Sequence, residues 1–328
     1  MNVAKILQRL KSKFFLSIGR AGMDLYAEPP GTEFEKAENF SAHIGGSAAN
    51  IAVALSKLNC KVELVTCFSD DAVGRFASSR LNTFGVGTSY CRIVGGEARN
   101  SLAVIETRLV DCQSIIYRNG AADFEMNIND VSGLNYEGSG GVIVSGTALA
   151  KEPSRSAIFN TINLARLAKT PVIIDMDYRP YSWESPEEAK SIYSTAISQC
   201  DIVIGNDKEF DIAAGTQGEG LNYAEKLISE TPEIIIYKKG EFGSRTLTKK
   251  KSFDLGVFQV KAIKPTGAGD SFMGGLIAGL ANDMTLEDAV IQGSACAAIV
   301  VTRVACSTAM PSVNELSEFI KFNTISKI

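Results

Sequence analysis

The sequence predicts an α/β fold: a doubly wound, mostly parallel sheet flanked by helices, with a small β lid. Short apolar runs alternate with helix-period segments along most of the 328 residues. Most of these runs are apolar throughout, which is typical of parallel strands covered on both faces. Two extended, more polar stretches interrupt the alternation, and we expect them to form the lid.

The main-sheet strands are predicted, in chain order, at residues 14–19, 62–68, 141–146, 172–175, 201–205 and 233–237. The clearest helical patterns between them cover residues 48–58, 154–168 and 189–199. The lid is predicted at about 25–44 and 98–118, the second part folding back at Val110-Asp111-Cys112. We expect one domain over residues 14–322, preceded by an N-terminal leader at residues 1–13. Ligands of such a sheet bind outside the carboxyl ends of its strands.

The composition of the chain argues against several classes of binding partner. Lys and Arg number 33 against 37 Asp and Glu, a net charge of −4, so no basic surplus attracts nucleic acid. Seven scattered cysteines without a CxxC pair indicate reduced thiols rather than a disulfide scaffold. No segment has the pattern of a secretory signal or a membrane span, so we expect a cytoplasmic protein without membrane partners.

The most informative segment is Thr266-Gly267-Ala268-Gly269-Asp270-Ser271-Phe272, which opens a helix of small residues. Glycines let backbone N–H groups approach an anion, and the helix start adds partial positive charge. Such donors suit a phosphoryl group in transfer, and Asp270 beside them could accept a proton from an attacking hydroxyl. A capped helix with Asp270 as an N-terminal charge explains the same residues.

A second segment, Gly45-Gly46 followed by Asn50, opens the helix through residue 58. Asn50 and the exposed backbone could hold sugar hydroxyls, and so could the carboxylate of Asp24 after the first strand. Alone this evidence is weak, because many tight turns contain Gly-Gly and a surface turn also explains Asp24.

Together the two segments resemble the signatures of the ribokinase/PfkB family of sugar kinases, over about residues 15–311. Residues 19–25, 144–151 and 177–183 are similar to stretches of the members that act in inositol catabolism. The resemblance implies a ribokinase-like fold, ATP and Mg²⁺ as cofactors, and phosphorylation of a sugar acid on its terminal hydroxyl. The implied substrate is 5-dehydro-2-deoxy-D-gluconate, converted to its 6-phosphate.

The resemblance also implies roles for matched residues. Asp270 would be the base, and the backbone of Gly267, Ala268 and Gly269 the anion hole. Asn206 and Glu209 would organise Mg²⁺, largely through water. The residues implied for the nucleotide are Asn206, Lys239, Gly240, Gly243, Thr266, Gly267, Gly269 and Ala297. Those implied for the substrate are Arg20, Asp24, Gly45, Gly46, Asn50, Arg118 and Arg179.

The arginines carry the prediction of an acidic substrate. A guanidinium binds a carboxylate through two parallel hydrogen bonds, and we expect Arg118 and Arg179 to do so, with Arg20 as a further candidate. These arginines could instead stabilise the phosphoryl group or form surface ion pairs.

One position departs from the family pattern. Lys264 stands where many members carry an acidic residue that helps to hold an activating monovalent cation. An ammonium cannot bind a cation but can occupy its place, so we expect activity without added K⁺.

Several alternatives stay open at this stage. Within the family these are 2-keto-3-deoxygluconate kinase, fructokinase and other sugar or nucleoside kinases. A non-catalytic sugar sensor would have no use for Asp270, and a nicotinamide enzyme would need Gly-x-Gly-x-x-Gly after the first strand, where Gly19-Arg20-Ala21-Gly22 stands. Extended lid edges could also pair two copies into a homodimer.

Overall fold

The computed structural model describes residues 1–326 and divides their strands among three sheets. In chain order the strands are β1 (Phe14–Ile18), β2 (Gly22–Glu28), β3 (Asn39–Gly45), β4 (Lys61–Val65), β5 (Cys67–Ser69), β6 (Arg92–Val94), β7 (Leu102–Ile105), β8 (Ser114–Tyr117), β9 (Gly141–Ser145), β10 (Val172–Asp175), β11 (Ile202–Asn206), β12 (Ile234–Lys238), β13 (Ser244–Thr248) and β14 (Ser252–Leu255). The helices are α1 (Val3–Leu10), α2 (Ser47–Lys57), α3 (Ala72–Thr83), α4 (Ile128–Ser132), α5 (Ser154–Leu167), α6 (Pro186–Ile197), α7 (Asp207–Ala214), α8 (Gly220–Leu227), α9 (Ala268–Ala281), α10 (Leu286–Val301) and α11 (Val313–Phe322).

The main sheet has the strand order β14-β13-β12-β11-β10-β9-β1-β4. Its strands from β12 to β4 run parallel, and the β13–β14 hairpin adds an antiparallel edge. Strands β9 and β10 are buried along their whole length, which explains their uninterrupted apolar sequence. The predicted fold class is confirmed.

Two hydrophobic cores cover the two faces of this sheet. Alternate residues of each strand point to opposite faces, so Ile234 and Ile236 of β12 join the core that includes α2, α9 and α10. Ile235 and Tyr237 of the same strand join the core that includes α5 and α6. This division decides which strand-end side chains can reach α9.

The lid is a separate four-stranded sheet of order β3-β2-β7-β8. Strands β2 and β3 pair antiparallel with Asp24 opposite His43, and β7 pairs antiparallel with β8. Strand β2 begins at Gly22, slightly before the predicted start of the lid, so Asp24 belongs to the lid sheet. The lid sheet therefore carries the carboxylate of Asp24.

The N-terminal segment differs from the predicted leader. Residues 3–10 form α1, in which Ile6 and Leu10 are fully buried in the core beside α9, and the N-terminal amine pairs with Asp201 at 3.1 Å. Ile6 and Leu10 are four residues apart and share one helix face. This short apolar face, easily overlooked in a basic segment, anchors α1 to the domain.

Within residues 1–326, no helix has the length and apolar character needed to cross a membrane. All seven cysteines are free thiols.

Candidate active site

A cavity of about 420 Å³ lies where the carboxyl ends of β10, β11 and β12 meet the lid and the start of α9. Ala103, Ile105 and Ile116 of the lid form part of its wall. Its charged lining residues, in chain order, are Arg20, Asp24, Asp175, Asp177, Arg179, Glu209, Lys238 and Asp270. A larger groove of about 760 Å³ beside α3 contains none of the predicted site residues.

Asp270 occupies the first turn of α9 and lines this cavity. The Asn50 side-chain amide donates to Asp270 Oδ2 at 2.8 Å, so the two glycine-rich segments meet here. Burial raises the pKa of Asp270 to about 7, with further increases from the nearby carboxylates of Asp175 and Asp177. A carboxylate with this pKa is suited to accept a proton near neutral pH.

Two of the three residues predicted for the anion hole, Gly267 and Gly269, line the cavity, and their binding of an anion stays a prediction. Gly267 is the helix N-cap with φ +84° and no side-chain cap, and Ala268, whose N–H makes a long 3.5 Å bond to the Pro265 carbonyl, does not line the cavity. Across residues 1–326 no acceptor is found for the N–H groups of Gly269 and Asp270. These two donors, with the positive end of α9, are free to bind an anion.

The Gly45-Gly46 pair makes room for Asp24. A Cβ at Gly45 would fall 1.9 Å from Asp24 Oδ1, and one at Gly46, where φ is +99°, would fall 2.3 Å from the Arg20 carbonyl. Asp24 is 4% exposed, and its Oδ1 is buried without a hydrogen-bond partner. Burial raises the pKa of Asp24 to about 6, offset in part by Arg20. A buried acceptor of this kind suits a ligand hydroxyl.

The carboxylates opposite Asp270 are close together. Asp175 accepts from Ser47 Oγ at 2.8 Å, and Glu209 accepts the backbone N–H groups of Asn206 at 2.7 Å and Tyr178 at 3.2 Å. Burial raises the pKa of Asp175 and that of Glu209, the latter to about 7, while the Lys238 ammonium lowers both. Asn206 and Glu209 form a capping box at the start of α7 as well as lining the cavity.

The three predicted arginines have different surroundings. The guanidinium of Arg118 pairs with Asp123, donates to the Thr147 carbonyl and lies over the Phe124 ring, away from the cavity lining. The Arg118 guanidinium already has a carboxylate partner, and its contact with the substrate stays a prediction. Arg179 lines the cavity but pairs with Asp177 at 2.6 Å.

Arg20 has the least satisfied guanidinium of the three. It is 8% exposed and donates to Ser101 Oγ at 3.1 Å. No carboxylate within residues 1–326 lies within 4.0 Å of it. Asp24 is near enough for Arg20 to lower its pKa, but the two form no ion pair, so the buried guanidinium keeps donors that suit an anionic ligand.

Several residues predicted for the nucleotide lie apart from the cavity lining. Lys239 pairs with Asp254 at 2.9 Å, and Lys238 lines the cavity in its place. Gly240 and Gly243 shape the turn between β12 and β13. Ala297 is partly buried on α10, whose small residues allow close packing against α9. Contact of these four residues with a nucleotide stays a prediction.

Lys264 is fully buried and donates to the Thr266 carbonyl at the entrance to α9. Burial lowers the pKa of Lys264, while the nearby groups of Cys306, Asp270 and Asp24 oppose that change. Its ammonium therefore supports the backbone just before the anion-binding turn.

Sequence reasoning missed Ser47, Asp175, Asp177, Tyr181 and Lys238, all of which line the cavity. Asp175 and Lys238 each end a buried strand, and polar residues at the carboxyl ends of parallel strands are the signal that could have found them. Tyr181 lies two residues after Arg179 in a short 3₁₀ helix, Pro180–Ser182, where no local pattern indicates a site.

Comparison with known proteins agrees with this geometry. Residues 12–313 match the family described as "pfkB family carbohydrate kinase". The 5-dehydro-2-deoxygluconokinase of Photobacterium profundum is 40% identical over 310 residues, covering 93% of each chain. That of Geobacillus kaustophilus is 35% identical over 312 residues, covering 94% of this chain and 93% of the relative. The fold is shared with an ATP-bound fructokinase from Xylella fastidiosa, with a TM-score of 0.82 and 22% identity over 94% and 98% of the two chains.

Proposed function

This chain belongs to the pfkB family of carbohydrate kinases, and we propose that it phosphorylates the terminal hydroxyl of 5-dehydro-2-deoxy-D-gluconate with ATP. The observation that carries the proposal is the position of Asp270, held by Asn50 beside two free backbone donors at the start of α9. Relatives that share 35–40% of this sequence bear the name of the corresponding kinase.

The chemistry follows from this arrangement. Asp270 accepts the proton of the terminal hydroxyl as its oxygen bonds to the γ-phosphorus. The bond from that phosphorus to the ADP oxygen breaks, and ADP keeps the electron pair. The N–H groups of Gly269 and Asp270 stabilise the charge on the phosphoryl oxygens. The lid excludes water, which would otherwise compete as acceptor.

The residues at the cavity fit Mg²⁺. Asp175, Asp177, Glu209 and Asp270 place four carboxyl groups against two cationic side chains, Lys238 and Arg179. Glu209 already accepts two backbone N–H groups, so Asn206 and Glu209 would hold the ion mainly through water. When bound, Mg²⁺ would neutralise phosphate charge. Within residues 1–326, no group of three or more His, Cys, Asp or Glu side chains has the arrangement of a metal site.

Arg20 supports an acidic substrate. Its guanidinium is nearly buried and lacks a carboxylate partner, whereas Arg118 and Arg179 have theirs. The carboxylate of a sugar acid would supply the missing counter-ion through charge-assisted hydrogen bonds. A neutral hexose would leave the Arg20 guanidinium unpaired. Because this loss is costly in a buried site, the site should strongly prefer a sugar acid to a neutral sugar.

A substrate panel with purified protein tests the proposal by ADP release. We expect a kcat/KM for 5-dehydro-2-deoxy-D-gluconate at least 100-fold above that for fructose. Arg20→Met should remove most of that preference, whereas Arg75→Met, which replaces an exposed arginine of α3, should not change it. Equal rates on fructose and the sugar acid would refute acid recognition, and absence of activity on the whole panel would refute the kinase proposal.

We also place the protein in the cytoplasm, where ATP is available and its seven thiols stay reduced. We propose further that two copies pair through the lid. Strand β8 is a sheet edge, and Ile115 and Tyr117 on it are 44% and 60% exposed. Light scattering of Tyr117→Lys against the wild type tests this, with a dimer expected for the wild type and a monomer for the variant. A monomeric wild type would contradict it.

A further inference from the structure

The side chain of Lys238 enters the cavity from the end of β12. Its backbone pairs with Asn206 of the neighbouring strand, so it lies beside the start of α7. Lys238 is on the same strand face as Ile234 and Ile236, which pack in the core that includes α9. Lys239 is on the opposite face and pairs with Asp254. Strand alternation therefore sends the first of two adjacent lysines towards the anion-binding turn.

The ammonium of Lys238 lies against the first turn of α9. Its Nζ is 3.2 Å from the point where a Cβ of residue 269 would be. A cation is disfavoured at the positive end of a helix, so this position needs compensation by negative charge. Asp175 and Glu209 are near enough for the ammonium to lower their pKa values. Neither forms an ion pair with Lys238 within 4.0 Å, and it has no hydrogen-bond partner elsewhere in residues 1–326.

We propose that Lys238 is a further catalytic residue that binds the phosphoryl group during its transfer, together with the N–H groups of Gly269 and Asp270. This inference rests on the proposed kinase function. The ammonium keeps its proton throughout, because the proton of the sugar hydroxyl goes to Asp270. Its charge stabilises the phosphoryl oxygens while the bond to the ADP oxygen breaks and the bond to the sugar oxygen forms.

The proposal also explains the glycine at position 269. A Cβ there would approach Nζ to a distance at which the ammonium must move by a few tenths of an ångström. Charge stabilisation in a transition state depends on such distances, and loss of one aimed donor costs roughly 10²–10³-fold in turnover. A residue placed only to pair with Asp175 or Glu209 would not need to touch α9.

The test compares Lys238→Met with the control Lys249→Met, which replaces a lysine at the β13–β14 turn that pairs with Glu233. Turnover and the KM for ATP are measured, and titration calorimetry gives the affinity for ADP alone and for ADP with aluminium fluoride and the sugar acid. We expect Lys238→Met to lose about 10²–10³-fold in kcat and a similar factor in affinity for the fluoride complex. Its KM for ATP and affinity for ADP should stay within about threefold.

Lys249→Met should match the wild type. A kcat for Lys238→Met within threefold of an active wild type would overturn the inference and leave the kinase function intact. So would an equal loss of affinity for ADP alone, which would indicate ground-state binding. Lys238→Gln, of similar length and polar, gives the same test if the Met variant does not fold. A wild type inactive on every sugar acid would instead refute the function itself.

Discussion

Replacement of Asp270 by asparagine removes the proposed base while keeping the size of the side chain. The amide oxygen of the new residue can still accept from Asn50 Nδ2, which lies 2.8 Å from the carboxylate oxygen in the wild type. General-base catalysis contributes about 10²–10⁴-fold, or roughly 3–5 kcal/mol of transition-state stabilisation. We therefore expect kcat to fall by that factor and nucleotide affinity to change little.

The same substitution should stabilise the fold, and the pH dependence of this gain is a separate readout. In the folded protein burial and the neighbouring Asp175 and Asp177 raise the pKa of Asp270 from 3.8 to about 7. The wild type therefore loses stability as pH rises from about 4 through 7, because ionisation is opposed only in the folded state. The gain in melting temperature of Asp270→Asn should grow over this range and level off above pH 7.

Asp288→Asn is the matched control, since Asp288 is exposed and occupies the same helix position in α10 as Asp270 does in α9. Turnover is measured by coupled ADP release, ADP affinity by calorimetry and melting by scanning calorimetry from pH 5 to 8. If Asp270→Asn retained turnover within tenfold of the wild type, the assignment of the base would be wrong. A melting gain that did not change with pH would refute the raised pKa.

Three further predictions concern other parts of the chain. Because the Lys264 ammonium occupies the interior beside α9, turnover should be equal in K⁺ and in tetramethylammonium salts, and a saturable activation by K⁺ would contradict this. Gly267→Ala should destabilise the protein by about 1–3 kcal/mol in urea unfolding, because φ is +84° and a Cβ would lie 2.7 Å from Cys306 Sγ; an unchanged midpoint would show that the turn relaxes. Leu10→Ala should lower the free energy of unfolding by about 2–5 kcal/mol in the same assay, whereas Gln8→Ala, at an exposed position, should leave it almost unchanged. Equal losses would show that α1 is not anchored by the packing of Leu10.

The parts of the site that the sequence predicts well are local. Gly267 to Asp270 contain both the turn and the carboxylate, so a single stretch defines their geometry. The partners of individual side chains are harder to predict, because the folded arrangement decides them. Arg118 illustrates this, since its ion pair with Asp123 and its packing on Phe124 were not predicted, while its contact with the substrate stays a prediction.

The sequence analysis did not predict helix α1, for a different reason. Only Ile6 and Leu10 of its eight residues are fully buried, and the charged residues around them resemble a solvated leader. The amphipathic pattern is real but short, and helices of this length derive their stability from packing rather than from propensity. Whether such a segment docks depends on the apolar surface that the rest of the fold leaves open beside α9, which a local pattern does not contain.

The alternation of side chains along a β-strand explains why two residues that the sequence analysis missed line the cavity. Ile173 of β10 and Ile236 of β12 face the α9 core, so two residues further along each strand the side chain points to the same side of the sheet. Those residues are Asp175 and Lys238, both of which line the cavity. Successive side chains of a strand point to opposite faces of the sheet, so Lys238 and Lys239 cannot both enter the cavity, and the register of β12 selects Lys238. The rule therefore predicts that exchanging Tyr237 and Lys238 would move the cation to the other face of the sheet and out of the cavity without altering composition.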